Sequence, residues 1–567
     1  MEKHDSLHNK IKEFESKFAD NATEEQKQVW KELVCMIEHR KFVQSRRPTI
    51  LIVTPEIVSL PPNMGNLAHV ITTGDGGGLA DISGSLVAEL DRQGVNVHVV
   101  LPEYQTLFEI YSEISHEEYE ELKMKMRAGE RIHLVSDGMF DGAERVYGDS
   151  SMWLDKIELR RATAFMRGIL RILPFIKAKN PNLLVHCNDW MTGLIPAAAK
   201  SHGIKSLMTF HNIFTQLQWP KGLQKHGIDI EPFWHNLYFR DCPDKYYSYQ
   251  GNYQNNDVDF MTSGLYAADY INTVSPTFLK EIVEGYFMEH NIIPGSMRDM
   301  VKRRYYEGAA AGILNAPSKT ADPRIDGYLD QKYWYEPNES QGIADVAEGK
   351  RINKQNFQRE LGLEQDTNIP LFFWPSRIAR PQKGFDLLMG VIESGLLYRY
   401  NMQVAVVASG DMGLINWVER LQHSFPGKLS YRPFSRKLNQ LGKAAADFLL
   451  MPSLYEPCGI PQVEAPRYGT LPVVRRTGGL ADTVQHLSLN GLMGNGFVFD
   501  DFIPAGLEFG ISEAMFYYKK KDDFKKAVIR RIMKESFENF NIEKTAKQYI
   551  SVYENIFRKD NPRLKVL

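Results

Sequence analysis

The chain has 567 residues, 43% of them hydrophobic and 24% charged, with a formal net charge of -2. That length exceeds one ordinary core and implies two large domains with appendages, in a globular rather than a disordered or fibrous protein. The near-neutral charge gives no electrostatic ground for nucleic acid or an anionic membrane as the main partner.

No apolar run reaches the length of a membrane span, and the opening MEKHDSLHNKIKEFESKF lacks the apolar core of a signal peptide. Cys35, Cys187, Cys242 and Cys458 are scattered without metal-ligand or disulfide-framework spacing. Free thiols in a reducing cytoplasm are therefore expected, with no metal and no cofactor.

Residues 1–47 are charged and read as a helical extension. In KQVWKELVCMIEHRKFV the apolar Val29, Trp30, Leu33, Val34, Met36 and Ile37 return at roughly helical spacing. After Pro48 short β-branched runs alternate with amphipathic stretches. TILIVTPEI, VNVHVVLPEY, LLVHCND, KSLMTFHN and YINTVSP predict strands, with SLVAELDRQG and TAFMRGILRILPFIKAK as helices between them. Continuous apolar strands separated by helices imply a parallel sheet covered on both faces, here over residues 48–316.

The alternation lapses over residues 317–345, which are rich in Pro, Asp and Tyr and read as an interdomain connection. It resumes over 346–511 with PLFFWPSR, MQVAVVASG, KLSYRPF, FLLMPS, LPVVRRTGG and GFVFD. A lysine-rich helical segment closes the chain over 512–567. The predicted fold class is α/β, with two Rossmann-like doubly wound domains facing a central cleft. Ligands in such sheets bind beyond the carboxyl ends of the strands.

Three segments carry chemistry. In GDGGGLADISGSLVAEL (74–90) the glycines allow close approach to a ligand, and the helix start near Leu79 offers free amides. The spacing is neither a dinucleotide fingerprint nor a phosphate loop ending in Gly-Lys-Ser/Thr. PSRIARPQKGFDLL (375–388) places Arg377 after a strand and Lys383 before a helix, where a diphosphate would need neutralising. Taken alone, two solvated loop charges is the commoner reading.

The third segment, MPSLYEPCGIPQVEAPRYGTLPVVRRTGGLADTV (451–484), sets Glu456 in a turn and Glu464 on the following helix. That spacing is just over two helical turns. Thr477-Gly478-Gly479 then ends a second strand and opens a helix suited to phosphate. Taken singly, Glu456 also reads as a helix-start residue favourable to the dipole and Glu464 as an exposed helical carboxylate, a reading that serves poorly for the whole constellation.

This last segment closely resembles the bacterial glycogen synthase and plant starch synthase family. The likeness continues in order through GGGLADISG, HCNDWMTGLIPA, TFHN, ADYINTVSPTFLKEI, GILNA, SRIARPQKG, ADFLLMPS and EKTAKQYISVYE, over roughly residues 48 to 558. The resemblance implies a glycosyltransferase-B fold with donor nucleotide on the C-terminal domain and acceptor mainly on the N-terminal one. It implies glucose transfer from a nucleotide sugar, ADP-glucose rather than UDP-glucose, to the non-reducing end of an α-1,4-glucan with retention of configuration.

By the same resemblance Arg377 and Lys383 hold the donor diphosphate and Glu456 lies near the transferred glucose. Gly77, Gly78, Thr477, Gly478 and Gly479 serve the donor, and Glu464 binds its ribose. Asp81 and Asn315 bind sugar hydroxyls, while Asn188 and His211 line the cleft. One departure is Asp75, where the family usually carries Lys. The alternatives are a catalytically weak glucan-binding or regulatory homologue, and a glucosyltransferase with another acceptor. Assembly into a homo-oligomer is left open.

Overall fold

A computed structural model describes residues 47–74, 78–126, 129–147, 155–241, 248–287 and 292–558. All but the last residue of the expected N-terminal extension lies outside them, as do Asp75, Gly77, Cys35 and Cys242.

The first sheet has seven strands: β1 (Thr49–Val53), β2 (Asn96–Pro102), β3 (Ile132–Val135), β4 (Leu183–Asn188), β5 (Lys205–Phe210), β6 (Tyr270–Thr273) and β7 (Ala310–Gly312). They pair in parallel in the order β3-β2-β1-β4-β5-β6-β7. The second has six: β8 (Leu371–Trp374), β9 (Gln403–Val407), β10 (Leu429–Arg432), β11 (Phe448–Met451), β12 (Leu471–Arg475) and β13 (Phe497–Phe499). Its order, β10-β9-β8-β11-β12-β13, repeats the scheme of the first, again all parallel.

The strands form where apolar residues can be buried on both faces. All five residues of β1 are buried. In β8, Phe372 and Trp374 enter one core while Leu371 and Phe373 enter the core on the opposite face. The edge strands β3 and β7 escape a reading by pattern. The sequence IHLV is short and half-buried, and AAG has no β-branched residue at all. Their backbones become strands because a neighbour offers a ladder.

The chain crosses between the domains twice. After the first crossing, helix Val346–Leu361 sinks Lys350 into the second domain. Its ammonium donates to the carbonyls of Ala444, Ala446 and Tyr468 and to the Thr470 hydroxyl. Burial pushes that amine down to about 7, against the opposing pull of the Asp447 carboxylate.

The second crossing brings helix Ile542–Arg558 back onto the first domain, where Tyr549 and Tyr553 join its core. Tyr553 Oη lies 2.9 Å from His186 Nδ1, and Asn272 donates to Tyr549 Oη at 3.0 Å. Among the described residues no helix is long and apolar enough to cross a membrane.

Candidate active site

In each sheet the strand order reverses beside its first strand, between β1 and β4 and between β8 and β11. Such a reversal opens a crevice at the carboxyl ends of the strands. In the second domain, β8 runs into the loop holding Arg377 and Lys383, and β11 into the turn holding Ser453 and Glu456. The Leu454 amide donates to the Gln382 carbonyl at 2.8 Å and ties the two loops together. Gly384 permits this crossing. It has φ of +69°, and a Cβ there would sit 2.2 Å from the Pro452 carbonyl oxygen.

Lys383 Nζ donates to Glu456 Oε2 at 2.6 Å, and Ser453 Oγ donates to the same oxygen at 3.1 Å. Their side chains are 12% and 5% exposed, so the pair is largely desolvated while Lys383 keeps an opening to the crevice. Arg377 is exposed. It stands near enough to Tyr455 to favour the phenolate, although burial and the Glu456 charge together push that phenol up to about 12.

Glu464 ends the short helix Pro461–Glu464 and is joined to Lys443, not to Glu456. Lys443 Nζ lies 2.6 Å from Glu464 Oε2, with side-chain exposures of 4% and 13%. The two carboxylates of this segment thus each take one lysine.

The Thr477-Gly478-Gly479 turn is packed on protein. Gly478, at φ +44°, would drive a Cβ to 1.9 Å from the Glu456 carbonyl oxygen, and Gly479 to 2.0 Å from that of Cys458. The amide of Gly479 donates to the Glu456 carbonyl at 3.0 Å. The amide of Gly478 donates to Glu281, a residue of the first domain, at 3.0 Å to each carboxylate oxygen. Thr477 Oγ1 donates to the same carboxylate at 3.3 Å.

Helix Pro276–Glu284 receives the reverse grip. Ser275 Oγ, the Thr277 amide and Thr277 Oγ1 donate to Asp482 at 2.5, 3.0 and 2.6 Å. Two helices from different domains therefore cap each other's N-termini with carboxylates, where free amides and the dipole favour negative charge. Burial pushes the Glu281 carboxyl up, while the Gly478 amide and Thr477 hydroxyl pull against it.

The first-domain side centres on the contact of Asn188 with His211. Asn188 Nδ2 donates to the Val53 carbonyl at 3.1 Å, which leaves its Oδ1 as the acceptor facing His211 Nε2 at 3.0 Å. Burial pushes His211 down to about 4, so the ring is neutral at pH 7. With Nε2 as donor, Nδ1 is left as an acceptor. The His211 backbone amide donates to Asp189 Oδ1 at 2.7 Å, and burial lifts the Asp189 carboxyl to about 7. Asp189 also holds φ of +57°, an uncommon angle for a residue with a side chain.

Asn315 is buried, and its Oδ1 accepts no hydrogen bond from any described residue. Its backbone amide donates to the Cys458 thiol, which burial pushes up to about 12. Asp81 is exposed in the first turn of helix Gly78–Arg92. At Gly78 a Cβ would meet no atom of the described residues within 4 Å.

The structure therefore brings Lys383, Glu456, the Thr-Gly-Gly turn and Asn315 into one contiguous patch, and joins Asn188 to His211. It sets Glu464 against Lys443. Among the participants that sequence reasoning did not single out are Asp189, Lys443 and Glu281. Asp189 had a signal, since it adjoins Asn188 in HCNDW. Nothing local marks the other two.

Residues 49–292 match the family described as "Starch synthase catalytic domain", and residues 370–531 match "Glycosyl transferases group 1". The chain is 30% identical over 505 residues to a glycogen synthase of Geobacillus thermodenitrificans, covering 86% of this chain and 96% of that one. It is 32% identical over 502 residues to a glycogen synthase of Clostridium novyi, covering 85% and 96%. Among solved structures it is similar to the catalytic domain of starch synthase IV from Arabidopsis thaliana, solved with ADP and acarbose. There the TM-score is 0.68 at 21% identity, over 90% of this chain and 99% of that one, a likeness of fold.

Proposed function

The chain belongs to the bacterial glycogen synthase and plant starch synthase family and is a glycosyltransferase of the glycosyltransferase-B fold, and on that premise we propose that it extends an α-1,4-glucan in the cytoplasm from ADP-glucose with retention of configuration. A nucleotide-sugar donor and a glucan acceptor follow from the family. The choice of ADP over UDP and the stereochemistry are our own reading.

The observation that carries the proposal is the buried contact of Lys383 with Glu456 at the second strand-order reversal. Charge develops on the diphosphate as the glucosyl bond breaks, and cations already fixed in a water-poor crevice stabilise it without reorganising. The Lys383 ammonium has three hydrogens, of which Glu456 takes one. The rest are available to phosphate oxygens, with Arg377 as the second cation.

Glu456 keeps Lys383 aimed and is itself held by Ser453, so it acts on the sugar by charge and hydrogen bonding rather than as a nucleophile. Retention then follows from attack on the face that the nucleotide leaves. Across the cleft, neutral His211 accepts a sugar hydroxyl at Nδ1, and the orphaned Asn315 Oδ1 supplies a second acceptor. Asp81 binds a further hydroxyl. Gly78 leaves the donor room at the start of its helix.

The test is direct. The protein is incubated with labelled ADP-glucose or UDP-glucose and glycogen, released nucleotide is measured, and the product is digested with an exo-hydrolase specific for α-1,4 linkages. We expect faster release from ADP-glucose and label that the hydrolase frees completely. Preference for UDP-glucose, label resistant to digestion, or no transfer to glycogen would each overturn the corresponding part of the reading.

A further inference from the structure

The second carboxylate of the 451–484 segment does not act alone. Lys443 lies in the last turn of helix Arg436–Ala445 and is buried, with its Nζ 2.6 Å from Glu464 Oε2. The turn that carries it is itself clamped. Thr470 Oγ1 donates to the Lys443 carbonyl at 2.6 Å, and Lys350 Nζ donates to the Ala444 and Ala446 carbonyls at 2.9 and 2.8 Å. A helix C-terminus also favours a cation. The ammonium therefore has little freedom to leave Glu464.

This arrangement divides the labour of the two carboxylate oxygens. Oε2 is committed to Lys443, while Oε1 accepts no hydrogen bond from any described residue and is not sealed from solvent. Hydrogen bonds to an ionised acceptor are roughly twice as strong as neutral ones. A carboxylate pinned from beneath by a buried cation offers one such acceptor in one place. Without the cation it would be free to turn.

We propose that Lys443 is a positioning residue that sets selectivity for ribose over deoxyribose by holding Glu464 as a fixed, ionised acceptor for a ribose hydroxyl. The inference rests on the reading that Glu464 binds the donor ribose.

The experiment measures binding of ADP and of 2′-deoxy-ADP by calorimetry to the full chain and to the variants Lys443→Met and Glu464→Gln. In the wild type we expect ADP to bind about tenfold more tightly than its deoxy analogue, the weight of one charge-assisted hydrogen bond. Both variants should bring that ratio close to one while leaving 2′-deoxy-ADP affinity unchanged, a signature that general loosening of the fold would not produce.

If Lys443→Met leaves Glu464 buried without a partner and does not fold, Lys443→Gln keeps an N–H donor at reduced strength and should give an intermediate ratio. Loss of the ratio in Glu464→Gln together with a wild-type ratio in the Lys443 variants would overturn the role of Lys443 and leave the ribose reading intact. A wild-type ratio in Glu464→Gln, or a wild-type protein indifferent to the 2′-hydroxyl, would overturn the ribose reading and this inference with it.

Discussion

At the second sheet's strand-order reversal Glu456 is matched to Lys383, and on the helix that follows, Glu464 to Lys443. Both pairs are largely withdrawn from water. At the first sheet's reversal the partners are Asn188 and a neutral His211, beside an Asp189 whose carboxyl is pushed toward protonation. The same topology thus carries charge on one wall of the cleft and largely neutral hydrogen bonding on the other. The division suits a reaction in which an anionic nucleotide leaves one wall while a neutral sugar is held against the other.

The comparison breaks most visibly at Lys383. Lys383→Ala should lower kcat by about two to three powers of ten, the usual loss for a fixed electrostatic donor. Removing one partner of a buried pair also destabilises by about 3–5 kcal/mol, because the Glu456 charge is left uncompensated. Lys383→Met combined with Glu456→Gln should recover stability in a denaturant titration without recovering activity. Near-wild-type kcat in a folded Lys383→Ala protein would mean that the charged wall does not stabilise the leaving group.

The other wall should respond to pH. Asp189 titrates at about 7 in the folded protein and near 3.9 when unfolded, so the folded state binds more protons between those values. Its contribution to stability is complete below about pH 4 and is lost as pH rises to about 7. His211, pushed down to about 4 from an ordinary value near 6.5, works oppositely and loses stability as pH falls from about 6.5 to 4. Asp189→Asn should therefore remove a decline on the order of 3 kcal/mol between pH 4 and 7, read from urea midpoints. An unchanged slope in that variant would show that Asp189 is solvated and ionised throughout.

The smallest effect is expected at Gly78. Gly478 admits no Cβ, whereas at Gly78 one would meet no atom of the described residues. Gly78→Ala should leave the melting temperature unchanged or slightly raised, within about 1 kcal/mol, while weakening ADP binding a few-fold. Unchanged ADP affinity would remove Gly78 from the donor's surroundings.

Much of this architecture was legible in the chain itself. Every strand foreseen from an apolar run is present, because a parallel strand buried on both faces needs only continuous apolar residues to declare itself. Arg377, Lys383 and Glu456 were legible for a related reason. They follow a strand's carboxyl end by three, nine and five residues, so order along the chain already places their loops at that edge of the sheet.

Tertiary structure decided what depends on distant partners. That Lys443 would meet Glu464, or Glu281 the Thr-Gly-Gly amides, follows from how helices dock on sheets and domains on each other. Those residues are 21 and 197 positions apart, and no local spacing encodes such a meeting. Edge strand β7 exists through its neighbour, and the φ of Asp189 through the packing around it. Hydrophobic periodicity and turn chemistry act over a few residues and so can be read from sequence. The pairing of buried charges acts through space, where only the assembled fold brings the partners within hydrogen-bond distance.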